Sequence, residues 1–337
     1  MLELGRRAGE PNVISDPDLP TLPAVLDPIA LGAHLRQALP GHARGLEDLR
    51  VRLLRHHPGK RCVVEVTWRW GDESRSVIGK VYARDRSDVY RVMEEIRRAG
   101  FGPEGEFSIP EPMAYLPALQ LFLQEKVDGR PATESFLSDD EAERTAAAER
   151  CAGWLATFHA MTLGMGPSVD LPGHLRAMEQ WGQRLAGLGG PLADKAVALL
   201  TRLHAAASGL LPVALRTIHG DYAHHQVILA PGRTATVDWD KYRLADPSHE
   251  AARFAVGLQR LAQRCLGSIH ALDGPAAVFL RTYVASTGPG QAARLAFYRA
   301  AVCLEHAKHD VHKQARGWPE KAAATLDEGV RVLAEGW

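Results

Sequence analysis

Residues 219–240 read HGDYAHHQVILAPGRTATVDWD. His219, Asp221, Gln226, Asp238 and Asp240 fall close together there, around the apolar run Val227-Ile228-Leu229 and a second strand-like run, Thr234 to Val237. The order is a loop, a strand, a turn, a strand, then a carboxylate. Phosphoryl transfer from ATP needs such a set: one carboxylate to take the hydroxyl proton, and a side-chain amide with another carboxylate to hold Mg²⁺. The bland alternative is a polar hairpin with incidental acids. His224 and His225 also raise a zinc reading, but adjacent side chains diverge and no second ligand pair stands near.

The compound pattern is His219-Gly220-Asp221, four residues, Gln226, then Val237-Asp238-Trp239-Asp240, then Ala245-Asp246-Pro247. It resembles the signature of the aminoglycoside phosphotransferase-like kinases, which act on small molecules and are relatives of the protein kinases. The family usually carries Asn where this chain has Gln226. The longer side chain keeps the amide oxygen on a looser stem, and it resembles a branch of the family written H-[RG]-D-[FY]-x-x-x-Q. The resemblance implies an α+β, two-lobed protein-kinase-like fold, with a five-stranded antiparallel N-lobe sheet and one helix, then a mainly helical C-lobe. It implies Asp221 as catalytic base, Gln226 and Asp238 as Mg²⁺ ligands, and ATP as phosphoryl donor. Asp240 would stand behind the metal ligands, His219 would brace the loop, and Asp246 would fix a turn.

The nucleotide side reads less sharply. Lys80, in Val77-Ile78-Gly79-Lys80-Val81-Tyr82, occupies the third strand, where the resembling kinases pair a Lys with the α- and β-phosphates and with a Glu on the next helix. Glu94 and Glu95 both lie in that helix; they point about 100° apart, and Glu94 is the preferred partner. A solvated strand lysine is the alternative. The loop joining the first two strands, His56 to Cys62, has no G-x-G-x-x-G pattern, but backbone N–H groups around Gly59 and the charge of Lys60 could face phosphates. An ordinary Pro-Gly turn explains it equally well. Gln124 to Val127 falls where the lobes connect, so the backbone of Glu125 and Val127 is expected to meet adenine.

Strand patterns at 49–55, 62–70, 77–82, 113–115 and 119–125 precede a change of texture after Gly129. Helical patterns are expected at 27–39, 88–99, 139–162, 174–187, 191–208, 248–267, 274–285, 290–313 and 319–335, with Asp27 and Ser138 as N-caps. These divide the chain into an N-terminal extension (1–26, expected on the surface), a nucleotide-binding N-lobe (27–125) and a C-lobe (126–337) with the catalytic loop, metal site and acceptor-binding helices. Lys+Arg and Asp+Glu are both 40, which favours neither nucleic acid nor an acidic membrane as partner. No run of eighteen apolar residues or signal-like segment occurs, and the four cysteines form no C-x-x-C pair, so a cytoplasmic, reducing location is expected.

Helical pattern resumes at once after Asp246-Pro247. No room is left for the segment with which protein kinases dock peptides, so the partner is expected to be a small hydroxylated substrate. From Asp240 onward the chain holds ten acids against thirteen Lys and Arg, an unpromising trap for a polycation. A choline-like acceptor would need an aromatic cage, for which Tyr242, Phe254, Tyr283, Phe297, Tyr298 and Trp318 are candidates, although helix aromatics are more often core. Glu250, Arg253, Glu305, His309 and Asp310 are candidates to face the acceptor. The competing function is a catalytically impaired kinase-like nucleotide-binding module, suggested by Gln226 and the glycine-poor loop.

Overall fold

A computed structural model describes residues 16–38, 47–70, 72–288 and 292–336. The chain divides into two compact units, Met1–Glu95 with Pro110–Val127, and Ile96–Ile109 with Asp128–Trp337. In chain order the first unit contains α1 (Leu22–Leu26), α2 (Pro28–Ala38), β1 (Glu47–His57), β2 (Arg61–Trp70), β3 (Glu73–Tyr82) and most of α3 (Ser87–Arg98). The two-residue β4 (Phe107–Ser108) belongs to the second unit, and β5 (Pro112–Leu116) and β6 (Leu121–Glu125) complete the first. The sheet is antiparallel throughout, in the order β1-β2-β3-β6-β5.

The sheet follows from the alternation in β2. Cys62, Val64, Val66 and Trp68 are buried at every second position, as the pleat requires when one face meets a core. That core includes Leu19, Leu22, Val25, Leu31 and Leu35. Residues 16–26 are therefore not the surface extension expected of them; residues 1–15 lie outside the described residues. Pro23 lies in the first turn of α1, whose Leu22 and Val25 are buried, and the Thr21 hydroxyl donates to the Leu119 carbonyl at 2.8 Å.

The second unit contains β7 (Arg130–Pro131), α4 (Ala132–Phe136), α5 (Glu141–Ala160), α6 (Leu171–Ala186), α7 (Gly190–Ala207), β8 (Arg216–Ile218), β9 (Val227–Ala230), β10 (Arg233–Thr236), β11 (Arg243–Ala245), α8 (Pro247–Cys265), α9 (Asp273–Thr287), α10 (Ala292–Lys313) and α11 (Trp318–Glu335). β9 and β10 form the expected hairpin, extended by β4 and β7 into a sheet of order β4-β10-β9-β7, while β8 pairs with β11. β4, β7, β8 and β11 are too short for an alternation to show in the sequence. Helix α5 is capped by Asp140, which accepts from Ala142 N at 2.9 Å, and not by Ser138. Among the described residues no helix is long and apolar enough to cross a membrane.

Trp154 of α5 is fully buried at the centre of this unit. Its ring stacks on Tyr222 with centroids 5.3 Å apart, and its indole N–H donates to the Ser108 carbonyl at 2.9 Å. Trp154→Ala is expected to cost about 3–5 kcal/mol, the usual loss for emptying a large aromatic site. Trp154→Phe should cost roughly 1–3 kcal/mol, because the buried indole N–H to Ser108 O hydrogen bond is lost along with part of the ring's packing. Urea unfolding of both variants checks this; a loss below about 1 kcal/mol for Trp154→Ala would contradict the assigned packing role.

Candidate active site

The loop after β8 is built from its backbone outward. Gly220 has φ +82°, and a Cβ there would lie 2.0 Å from the Lys241 carbonyl oxygen, so only glycine fits. His219 is fully buried and its Nε2 donates to Val237 O at 2.9 Å. Its Nδ1 is thereby left as acceptor for the Asp221 N–H at 3.3 Å. The imidazole bridges the loop to the strand end, the bracing role expected of it. Asp221 is partly exposed, with Oδ2 2.8 Å from the ammonium of Lys241.

Beneath the loop lies Glu250, in the first turn of α8 and wholly buried. Its carboxylate accepts from the N–H groups of His219 (2.9 Å), Gly220 (2.6 Å) and Tyr222 (3.4 Å), and Oε2 lies 3.2 Å from His159 Nε2. Burial works to raise its pKa, but the hydrogen bond from His159, with that of the loop amide, holds it below the usual carboxylate range. Glu250 therefore supports the loop from behind and does not face an acceptor, which corrects the sequence reading. Sequence reasoning missed this role; the available signal was an acid just after Asp246-Pro247, in the first turn of a helix. Asp246 caps α8 by accepting from Ser248 N at 2.9 Å, as expected, and also pairs with Arg294.

Across the hairpin, Gln226 Nε2 lies 3.3 Å from Asp238 Oδ2. Asp238 adopts the left-handed conformation, φ 69° and ψ 61°. That conformation carries a cost for a residue with a Cβ, smaller for Asp than for most, and persists where the surroundings hold it. Asp240 lies in the short 3-10 turn Trp239–Lys241. Here the amide N–H donates to the carboxylate; with the amide turned over, its oxygen and the carboxylate would form a hard, two-ligand donor set of the kind Mg²⁺ accepts when phosphates and water complete its shell. His224 instead hydrogen-bonds Thr133 Oγ1 at 2.6 Å, and burial pushes its pKa down to about 3.

The residues expected on the nucleotide side lie in the first unit. Lys80 on β3 is buried and faces Val63 and Phe122 in the ladders on either side. Glu94 and Glu95 are both half-buried on α3. Gly59, φ +68°, forms the β1–β2 turn with Lys60, whose N–H bonds His57 O at 3.0 Å. The Gly59 N–H, expected to face phosphate, donates to the Asp16 carboxylate at 2.9 Å, and His56 Nε2 approaches the same oxygen at 2.8 Å. Glu125 ends β6 and exchanges bonds with Glu111, and Val127 ends the unit.

A kinase-like loop on an α+β frame defines the class, and comparison with known proteins gives the family. The chain belongs to the phosphotransferase enzyme family, whose profile matches residues 65–262. Among solved structures it is similar to a choline/ethanolamine kinase family protein from Mesorhizobium loti (17% identity, TM-score 0.59, covering 90% of this chain and 94% of that one). It is also similar to a macrolide 2′-phosphotransferase, MphH, from Brachybacterium faecium (19%, 0.52, 87% and 98%). A third is a thermostable mutant of aminoglycoside phosphotransferase APH(4)-Ia in ternary complex with ADP and hygromycin B (15%, 0.60, 90% and 98%). No curated protein sequence matches. At these identities the likeness establishes the fold, and the breadth of those proteins' names leaves the acceptor to be argued from this chain's residues.

Two outcomes test the electrostatics. Glu250→Gln is expected to cost on the order of 3 kcal/mol, because the loop amides lose a buried anionic partner. Hydrogen exchange at residues 219–222 should quicken before the rest of the unit, and unchanged protection there would contradict the support role. Glu305 has its pKa pressed upward by burial, but Arg253 and neighbouring cations hold it at about 2 against an ordinary 4.5. A depressed folded pKa means the stability is complete above the ordinary value and lost as pH falls. The stability gap between wild type and Glu305→Gln should therefore close between pH 4.5 and about 2. A gap constant over that window would contradict the pairing.

Proposed function

We propose that the protein is an ATP- and Mg²⁺-dependent O-phosphotransferase acting on a hydroxyl of a small molecule in the cytoplasm. The observation that carries this reading is the 219–238 frame, with Asp221 on a glycine-dependent loop held by Glu250 and Gln226 beside Asp238. Asp221 is assigned as the base that accepts or orients the proton of the attacking hydroxyl. Gln226 and Asp238 would hold Mg²⁺, which when bound neutralises phosphate charge and orients the transferred group. Lys80, with Glu94 as its partner, is assigned to the phosphates. Within the β1–β2 turn that task falls to Lys60, since the Gly59 amide is committed to Asp16. The backbone of Glu125 and Val127 is assigned to adenine. The four cysteines are free thiols, three of them buried, which suits a reducing compartment.

Full-length protein with ATP and Mg²⁺ is expected to release ADP in response to a member of a panel of aminoglycosides, sugars, amino alcohols and peptide antibiotics. Asp221→Asn should slow that release by about 10²–10⁴-fold while the melting temperature and ADP affinity stay close to wild type. Wild-type turnover in Asp221→Asn would remove the assignment of the base.

A further inference from the structure

Arg243 begins β11 and lies opposite Ile218 in the ladder to β8, three residues before Asp221 in sequence. The residue is half-buried, and its Nε is shut off from solvent without a hydrogen-bond partner among the described residues. Burial and the nearby charge of Arg253 both disfavour its cationic form, while Glu250, Glu305 and Asp221 act in its favour from a distance. Each of those acids is already committed. Glu250 serves three loop amides and His159. Glu305 is ion-paired with Arg253, and Asp221 with Lys241. No ion pair to Arg243 occurs among the described residues. Arginine does not shed its proton, and a partly buried cation without a partner is costly.

We infer that Arg243 receives an anionic group, a phosphate or a carboxylate, carried by the acceptor whose hydroxyl lies at Asp221. This rests on the proposed function and narrows its substrate class. The fork of the guanidinium matches either oxyanion in a bidentate pair. Positive charge here is not confined to Arg243, because Arg253 acts on it as a neighbouring cation and Lys241 stands at Asp221. A polycationic acceptor would bring like charge to the loop where Lys241 pairs with Asp221, so an aminoglycoside is a poor fit to this chain. A phosphorylated or acidic sugar, or a hydroxy acid, fits.

Inorganic phosphate is the probe. Full-length wild type, Arg243→Met and Arg243→Gln are titrated calorimetrically with phosphate in the presence of Mg·ADP, after melting curves confirm that each is folded. Wild type is expected to bind phosphate, and both variants to bind it at least tenfold more weakly. Malonate in place of phosphate, tested the same way, tells a phosphate from a carboxylate preference. The affinities for Mg·ADP and Mg·AMP-PNP are then compared, and their ratio should be the same in all three proteins. Unchanged phosphate and malonate affinity in both variants overturns the inference. A loss confined to Mg·AMP-PNP overturns it too, since Arg243 would then serve the donor's γ-phosphoryl group. Because the titration needs no turnover, failure of the proposed activity reads out separately, as wild type that binds neither nucleotide.

Discussion

A single buried carboxylate sets the geometry of the candidate site. Glu250 has no exposed surface, and a charge so placed is tolerated only if donors surround it. Three backbone N–H groups of the 219–222 loop and His159 supply them. The position of Glu250 in the first turn of α8 adds the favourable end of the helix dipole. The loop cannot move without exposing these amides or stranding the charge. His219 and Gly220 are then explained together, because the imidazole ties the loop to Val237 and the missing Cβ admits the Lys241 carbonyl. Asp221 is what this arrangement presents.

Packing transmits the same constraint. Trp239, directly after Asp238, is fully buried against His219 and Phe158, and its indole N–H donates to Thr236 O. That anchor, with the hairpin ladder behind it, holds Asp238 in a backbone conformation it would not choose. Tyr222 lies on Trp154 and donates to Cys151 O, which joins the loop to α5. Asp221 and Asp238 are therefore both flanked by buried aromatic residues, so side chains that must be mobile enough to meet ligands grow from backbone that is not.

Much of this was legible in the sequence. The β9–β10 hairpin and the long helices carry enough residues for alternation or helical period to show. The polar residues around the hairpin carry chemistry in an uncommon order. What stayed hidden depends on partners distant in sequence. Glu250 reads as one acid among several on a helix until the loop is seen above it. Residues 16–26 look like a polar, proline-rich tail, yet Leu19, Leu22 and Val25 fill the sheet's core, and Asp16 takes the Gly59 amide. Ser138 and Asp140 are both competent caps, and only geometry chooses between them. Arg243 does not stand out in sequence because its distinction is the ion-pair partner it lacks among the described residues.

The central claim is that Asp221 and Asp238 divide the work, one for the proton and one for the metal. Electron paramagnetic resonance of Mn²⁺ in the presence of AMP-PNP separates the two without relying on turnover. Wild type and Asp221→Asn are expected to bind the ion in a nucleotide-dependent manner, while Asp238→Asn loses it. Retention of that binding by Asp238→Asn, or its loss in Asp221→Asn alone, would contradict the account.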